Sequence, residues 1–222
     1  KNTDTLFSLV HFNEKVLGKK DSLKNFPIYR FSNENNIIVN VGKDVYEYNL
    51  LNKNFDRNSK KLFSLPKQAA NIYYNKHNNL VAYTIDNNLY VQDAAGKTQQ
   101  ITNHTNPNII SGAAVHRNEF GIDRGIFFSP EGNLIAYYTM DQTMVADYPI
   151  VNWQKTPAEN NNIKYPMAGQ TSHQVTLHVY NPKTGTHTPV KVEGPKDQYL
   201  TAISWSPDEQ HIYIGVLNRA QK

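Results

Sequence analysis

From Phe26 onward the chain repeats one arrangement of apolar and polar positions. An aromatic residue is followed by a polar turn of about five residues, then by a strand in which apolar side chains recur. The segments IYRFSNENNIIVNV (28–41), IYYNKHNNLVAYTI (72–85), IFFSPEGNLIAYYT (126–139) and ISWSPDEQHIYIGV (203–216) carry it, with Phe31, Tyr74, Phe128 and Trp205 in the equivalent place. These aromatics are 43, 54 and 77 residues apart. A four-stranded propeller blade takes about 40–45 residues, so the first interval fits directly and the later two need inserted loops. A second strand pair follows in three of the units, at 45–55, 89–102 and 175–192. In the last of these, Val175, Leu177 and Val179 face one way, and Thr176, His178 and Tyr180 the other.

This pattern predicts an all-β chain, a partial β-propeller of four-stranded antiparallel blades. About three and a half blades are expected, at 26–66, 67–112 and 121–194, with the start of another at 199–222. A twisted four-stranded sheet cannot bury both faces alone, so such sheets stack around an axis. Three and a half blades cannot close a ring, which makes the chain read as part of a larger protein. The competing reading is a complete small β-sandwich. Residues 1–25 form a lead-in. Within it, 4–17 places Leu6, Leu9, Val10 and Leu17 along one face of a short N-terminal helix, with Thr3 or Asp4 as its cap and Gly18 as its stop.

The long third unit has a local cause. Its second strand pair starts 47 residues after the aromatic, against 15 in the second unit, and the excess lies between about Met140 and His173. Long insertions are usually functional or mobile. Tyr148-Pro149, Trp153 and Tyr165-Pro166 make this one an ordered segment.

Composition narrows the function. The 222 residues include no cysteine, which excludes disulfides, zinc–thiolate sites and cysteine nucleophiles. The formal charge is +4, yet no basic run exceeds Lys-Lys. A nucleic-acid partner needs a concentrated basic face and is not expected. Nor is a membrane span: no apolar run approaches the required length. KNTDTLFSLVHFNEK lacks the apolar centre of a signal peptide, and a start at Lys1 without Met reads as a trimmed piece.

No G-x-S-x-G, H-E-x-x-H, Walker-type loop or EF-hand occurs, and the eight histidines lack metal-ligand spacing. No catalytic residue, metal or cofactor is expected in this chain. Asn103-His104-Thr105 matches a glycosylation sequon, a common pattern. The polar stretch HRNEFGIDRG (116–125), ahead of the best-marked hairpin, is where a β-scaffold would carry function. Within it Glu119, between Asn118 and Phe120, is the candidate substrate-binding residue. On spacing alone two readings stand: a surface glutamate capping a turn, or a carboxylate facing a cavity and pairing with a cation such as a peptide α-amino group.

Three stretches go further. HRNEFGIDRGIFFSPEGNLIAYYTMDQTMV, KYPMAGQTSHQVTLHVYNPKTG and PKDQYLTAISWSPDEQHIYIGVLNRAQ resemble the N-terminal propeller of the dipeptidyl peptidase IV family, and within it the bacterial prolyl tripeptidyl peptidase and dipeptidyl aminopeptidase IV branch. The resemblance covers 115–222 and extends to Phe26 through the blade pattern. It implies an eight-bladed propeller packed on a C-terminal α/β-hydrolase domain that carries Ser, Asp and His and lies beyond Lys222. It implies a serine exopeptidase that releases N-terminal di- or tripeptides after proline, and that the present chain alone is inactive. It implies that Glu119 grips the substrate's free amino terminus while the propeller gates entry. Dipeptidyl members typically carry a Glu pair here; this chain has Asn118 in place of the first Glu, and its single glutamate resembles the tripeptidyl branch, where one serves. A homodimer and a periplasmic, cell-surface or secreted location are implied likewise. The alternative is a non-catalytic propeller that binds protein partners, for which neither the Glu119 stretch nor the 140–173 insertion is needed.

Overall fold

A computed structural model describes residues 8–17, 23–51 and 59–222. The chain divides into two compact units, one of residues 1–69 with 94–97 and one of 70–93 with 98–222.

In the first unit a short helix, α1 (Leu9–Phe12), runs into a wider π-type turn over Asn13–Leu17. Thr3, Asp4, Leu6 and Gly18 lie outside the described residues. Val10, expected on the buried face, is 67% exposed, and Phe12 takes the core position at 1%. A helix of one turn presents its face by where the chain leaves it, not by a long wheel. Four strands follow as an antiparallel meander: β1 (Tyr29–Phe31), β2 (Asn36–Val41), β3 (Asp44–Asn49) and β4 (Ser59–Ser64). Ile37, Val39, Tyr48 and Phe12 form its core.

The second unit begins with another four-stranded meander, β5 (Ala70–Asn75), β6 (Leu80–Ile85), β7 (Asn88–Asp93) and β8 (Thr98–Gln100). Asp86 and Asn87 both adopt positive φ between β6 and β7, as a two-residue hairpin turn requires. The third sheet has the order β10 (Ile126–Phe128), β11 (Ile135–Asp141), β14 (Gln174–Asn181), β15 (Thr186–Pro189). A further pair, β16 (Tyr199–Trp205) and β17 (Ile212–Leu217), closes the described chain.

The repeated aromatics occupy one structural place. Phe31 pairs with Ile37, Phe128 with Ile135 and Trp205 with Ile212 as the last pair before the turn, and Tyr74 with Val81 one pair further in. The Ser-Pro turns repeat atom for atom. Ser129 Oγ accepts from Leu134 N and Ser206 Oγ from His211 N, both at 2.9 Å. Successive turns are also tied together: Asn78 Nδ2 donates to Gly132 O, and the Glu209 carboxylate accepts from Glu131 N (2.7 Å) and Asn133 Nδ2 (2.8 Å).

Both faces of the third sheet are buried. Ile126, Ile135, Tyr137 and Tyr180 pack with Ala82, Leu89 and Val91, while Ala136, Tyr138, Val175 and Leu177 pack with Leu200 and Ile203. Hence Tyr180, on the opposite face of its strand from Leu177, is buried too. A sheet sandwiched between neighbours has no solvent face, so strict alternation is muted.

Two insertions interrupt this sheet. The excess between Met140 and His173 is an antiparallel hairpin, β12 (Asp147–Asn152) with β13 (Glu159–Lys164). Its Trp153 is 81% exposed. The other insertion splits the sheet's first strand. β9 (Ile109–Ser111), which the spacing assigns to the second unit of repetition, pairs instead with Thr139–Asp141 of β11, on the edge where β10 pairs with Ile135–Tyr137. Between β9 and β10 the chain leaves the sheet and returns, making a loop of residues 112–125.

Candidate functional site

The loop 112–125 is clasped at its neck by one residue. Gly112 N donates to Tyr138 O (2.9 Å), and Tyr138 N donates to Gly125 O (3.0 Å). The two limbs run so close there that a Cβ on Gly125 would lie 2.0 Å from Ala113 O. Only glycine fits. Below the neck, the Tyr138 hydroxyl donates to Leu200 O (2.7 Å), locking β11 to β16. Burial pushes that phenol well above its usual range.

Residues 116–121 form two tight turns at the head of the loop, closed by Asn118 N to Val115 O and Ile122 N to Glu119 O, each 3.1 Å. His116, Arg117, Asn118 and Phe120 all have left-handed φ, from 51° to 62°. Left-handed backbone costs an L-residue roughly 1–2 kcal/mol, so the four together carry about 4–8 kcal/mol of strain. Such a shape persists only where its surroundings over-determine it, and it is commonest at functional sites.

Three elements supply the restraint. His116, 2% exposed, lies 2.9 Å from His173 Nε2 through its Nδ1 and presents its ring edge to Tyr199, with centroids 4.8 Å apart. Thr201 Oγ1, from β16, donates to Phe120 O (2.8 Å), and the Phe120 ring rests on Tyr199. Arg117 donates to Lys164 O at the end of β13 and covers the Tyr165 ring at 5.0 Å. Desolvation holds His116 down to about 3 and His173 to about 4, helped by the Arg219 charge at both, by His173 at His116 and by Arg117 at His173. Both imidazoles are therefore neutral at ordinary pH. Among the described residues His116 Nε2 is buried without a hydrogen-bond partner.

Beside the loop is a cleft of about 530 Å³, lined among others by His116, Arg117, Asn118, Asp147, Lys164 and His173. Its charged groups are largely matched. Lys164 Nζ sits 3.2 Å from Asp147 and donates to Val145 O (3.0 Å). Glu119, the one site residue expected from sequence, is exposed and does not line this cleft. Its backbone is extended (φ −68°, ψ 159°), and among the described residues its carboxylate has no hydrogen-bond or ion-pair partner. In this chain the carboxylate stands in solvent, not in a partly dry cavity. The loop projects it outward, and the chain's own walls do not cover it.

Sequence reasoning missed the histidine pair, the Arg117 latch and the glycine neck. Gly112 and Gly125, flanking the polar stretch, were the available signal.

The family model described as "Dipeptidyl peptidase IV (DPP IV) N-terminal region" matches residues 23–222. The chain belongs to that family. Dipeptidyl peptidase 4 of Trichophyton rubrum is 31% identical over 169 residues, spanning 69% of this chain and 22% of that protein. Dipeptidyl aminopeptidase B of Saccharomyces cerevisiae is 26% identical over 163 residues, 68% of this chain and 20% of that protein. A crystal structure assigned to a dipeptidyl aminopeptidase IV from Bacteroides ovatus superposes with a TM-score of 0.77 at 38% identity, covering 97% of this chain and 30% of that one. The Porphyromonas gingivalis dipeptidyl peptidase 4 gives 0.72 at 22% identity, over all of this chain and 32% of that one, and speaks to the fold. The fold is the expected all-β partial propeller of antiparallel blades. The chain spans about a fifth of the length of the curated relatives it matches. Among the described residues no helix is long and apolar enough to cross a membrane, and no group of three or more His, Asp or Glu is placed to hold a metal.

Proposed function

We propose that this chain is the substrate-gating propeller portion of a serine exopeptidase of the dipeptidyl peptidase IV family, and that Glu119 anchors the free amino terminus of the peptide. The observation that carries the reading is the loop itself. A strained, three-sided mount holds a carboxylate that has no polar partner among the described residues clear of the sheet. A protein gains no stability from such a mount, whereas a binding site gains a fixed anchor.

The chemistry is positional. A carboxylate–ammonium hydrogen bond fixes the distance from the amino terminus to the scissile bond. That distance decides whether two or three residues are released, and Asn118 in place of a second carboxylate favours a single anchor. Holding a bond at a set place supplies several kcal/mol of barrier reduction. The opposite wall of the site, the nucleophile and the water exclusion belong to an α/β-hydrolase domain in the full-length enzyme, acting after proline in the periplasm or outside the cell. The homodimer implied by the family resemblance has an apolar surface available in Tyr148, Ile150, Val151 and Trp153 of the β12–β13 hairpin.

In the full-length enzyme, Glu119→Gln should raise KM at least about tenfold for proline-containing peptides with a free amino terminus, the loss expected for one charge-assisted hydrogen bond of about 1.5–3 kcal/mol. Steady-state kinetics on free and N-acetylated peptides test this. An unchanged KM for the free peptides would sink the assignment.

A further inference from the structure

Among the described residues no hydrogen bond or ion pair restrains the Glu119 carboxylate, so the backbone of the flanking residues decides where it is presented. Of residues 116–121 only His116 is buried. Its ring is in contact with both Tyr199 and His173. His173, 7% exposed, precedes β14, which is paired with β11 without a break from Gln174 to Tyr180. It is therefore delivered by a rigid strand, whereas His116 sits on the turn that has to be shaped.

We infer that His173 is a positioning residue for Glu119: through its hydrogen bond to His116 it holds the left-handed turn in the shape that presents the carboxylate. The inference rests on the reading of Glu119 as the amino-terminus anchor and deepens it by naming what sets the anchor's geometry.

Chemistry distinguishes this role from ordinary packing. Two neutral imidazoles share a single proton between Nδ1 and Nε2, and among the described residues the outer nitrogen of His116 has no partner. An unpaired buried polar atom costs free energy that an apolar pair of the same size would avoid. Packing alone gives no reason to keep two rings joined by a directional bond; aiming a strained backbone does. The bond also has a defined length, 2.9 Å, so the reach of residue 173 is itself testable.

The experiment compares His173→Gln with His173→Asn in the full-length enzyme. Glutamine places an amide near the position of imidazole Nε2; asparagine is polar but too short to reach His116. On proline-containing peptides with a free amino terminus, H173N should raise KM about fivefold or more with a smaller change in kcat, and H173Q should stay within about twofold of wild type. In a Glu119→Gln background H173N should add nothing, because residues acting as one unit are not additive. If the H173N and E119Q effects multiply, or if H173Q is as damaging as H173N, the inference is overturned. Amide exchange at Asn118 and Ile122, whose N–H groups close the two turns, gives a readout independent of catalysis. Faster exchange in H173N than in wild type and H173Q supports the role of His173, and equal exchange in all three overturns it. Should E119Q leave KM unchanged, the anchor reading fails by itself, and the exchange comparison still decides whether His173 shapes the turn.

Discussion

Gly125→Ala puts the neck of the loop under direct test. Gly125 needs no unusual backbone angle, so the substitution acts through sterics alone. The added Cβ would meet Ala113 O at 2.0 Å, Ala113 C at 2.4 Å and Ala113 N at 2.7 Å. All three are backbone atoms, and no side chain can swing away. Ordinary contact between such atoms is about 3.5 Å, so the limbs must part by about 1 Å or more. That opening strains the two hydrogen bonds to Tyr138, each worth about 1 kcal/mol. Overpacking adds about 1–3 kcal/mol. The total is about 3–5 kcal/mol. Native-state hydrogen exchange on the full-length protein reads it directly. The Tyr138 amide, which donates to Gly125 O, should exchange at least about 100-fold faster, since each 1.4 kcal/mol of local opening is about a factor of ten. KM for free-amino-terminus peptides should rise with it, because Glu119 rides on the same loop. A Tyr138 amide that exchanges within about twofold of wild type would refute the steric argument for the neck.

Two further outcomes follow from the same residues. The imidazoles of His116 and His173 are neutral when folded and take up protons near their ordinary value of 6.5 when unfolded. Between about pH 6.5 and about pH 4 the unfolded chain therefore binds more protons, and stability falls as pH drops through that window, levelling near pH 3. For His173 alone the loss is about 3 kcal/mol; urea unfolding at pH 7 and pH 4.5 should show a smaller drop in H173Q than in wild type, and identical drops would count against a neutral pair. Tyr138→Phe leaves Leu200 O without its buried donor and should cost about 1–2 kcal/mol in thermal unfolding; a loss below about 0.3 kcal/mol would mean that the β11–β16 lock carries no weight.

What could be read from the chain was short in range. Phe31, Tyr74, Phe128 and Trp205 each sit at or next to the turn end of a hairpin whose two strands adjoin in sequence. Turn chemistry and apolar spacing suffice to place them. The surplus at 140–173 was equally plain as a count, and its form as a hairpin followed from β-pairing within the segment. Val10 misled because one helical turn is too short for a wheel to define a face. Ile109–Ser111 was misplaced because a strand of three residues carries too little pattern to announce which sheet it joins.

The repeat, the all-β class and the location of the candidate loop were thus set by local sequence, since strands and turns are chosen by neighbours a few residues apart. The histidine pair is 57 residues apart along the chain, and Phe120 and Thr201 are 81 apart. Those partners meet only because β11 pairs with β14 and packs against β16, and no local preference of His116 or Thr201 encodes that meeting. Strain in the turn belongs to the same level. Four L-residues adopt left-handed φ against their own preference because tertiary contacts on three sides outweigh it.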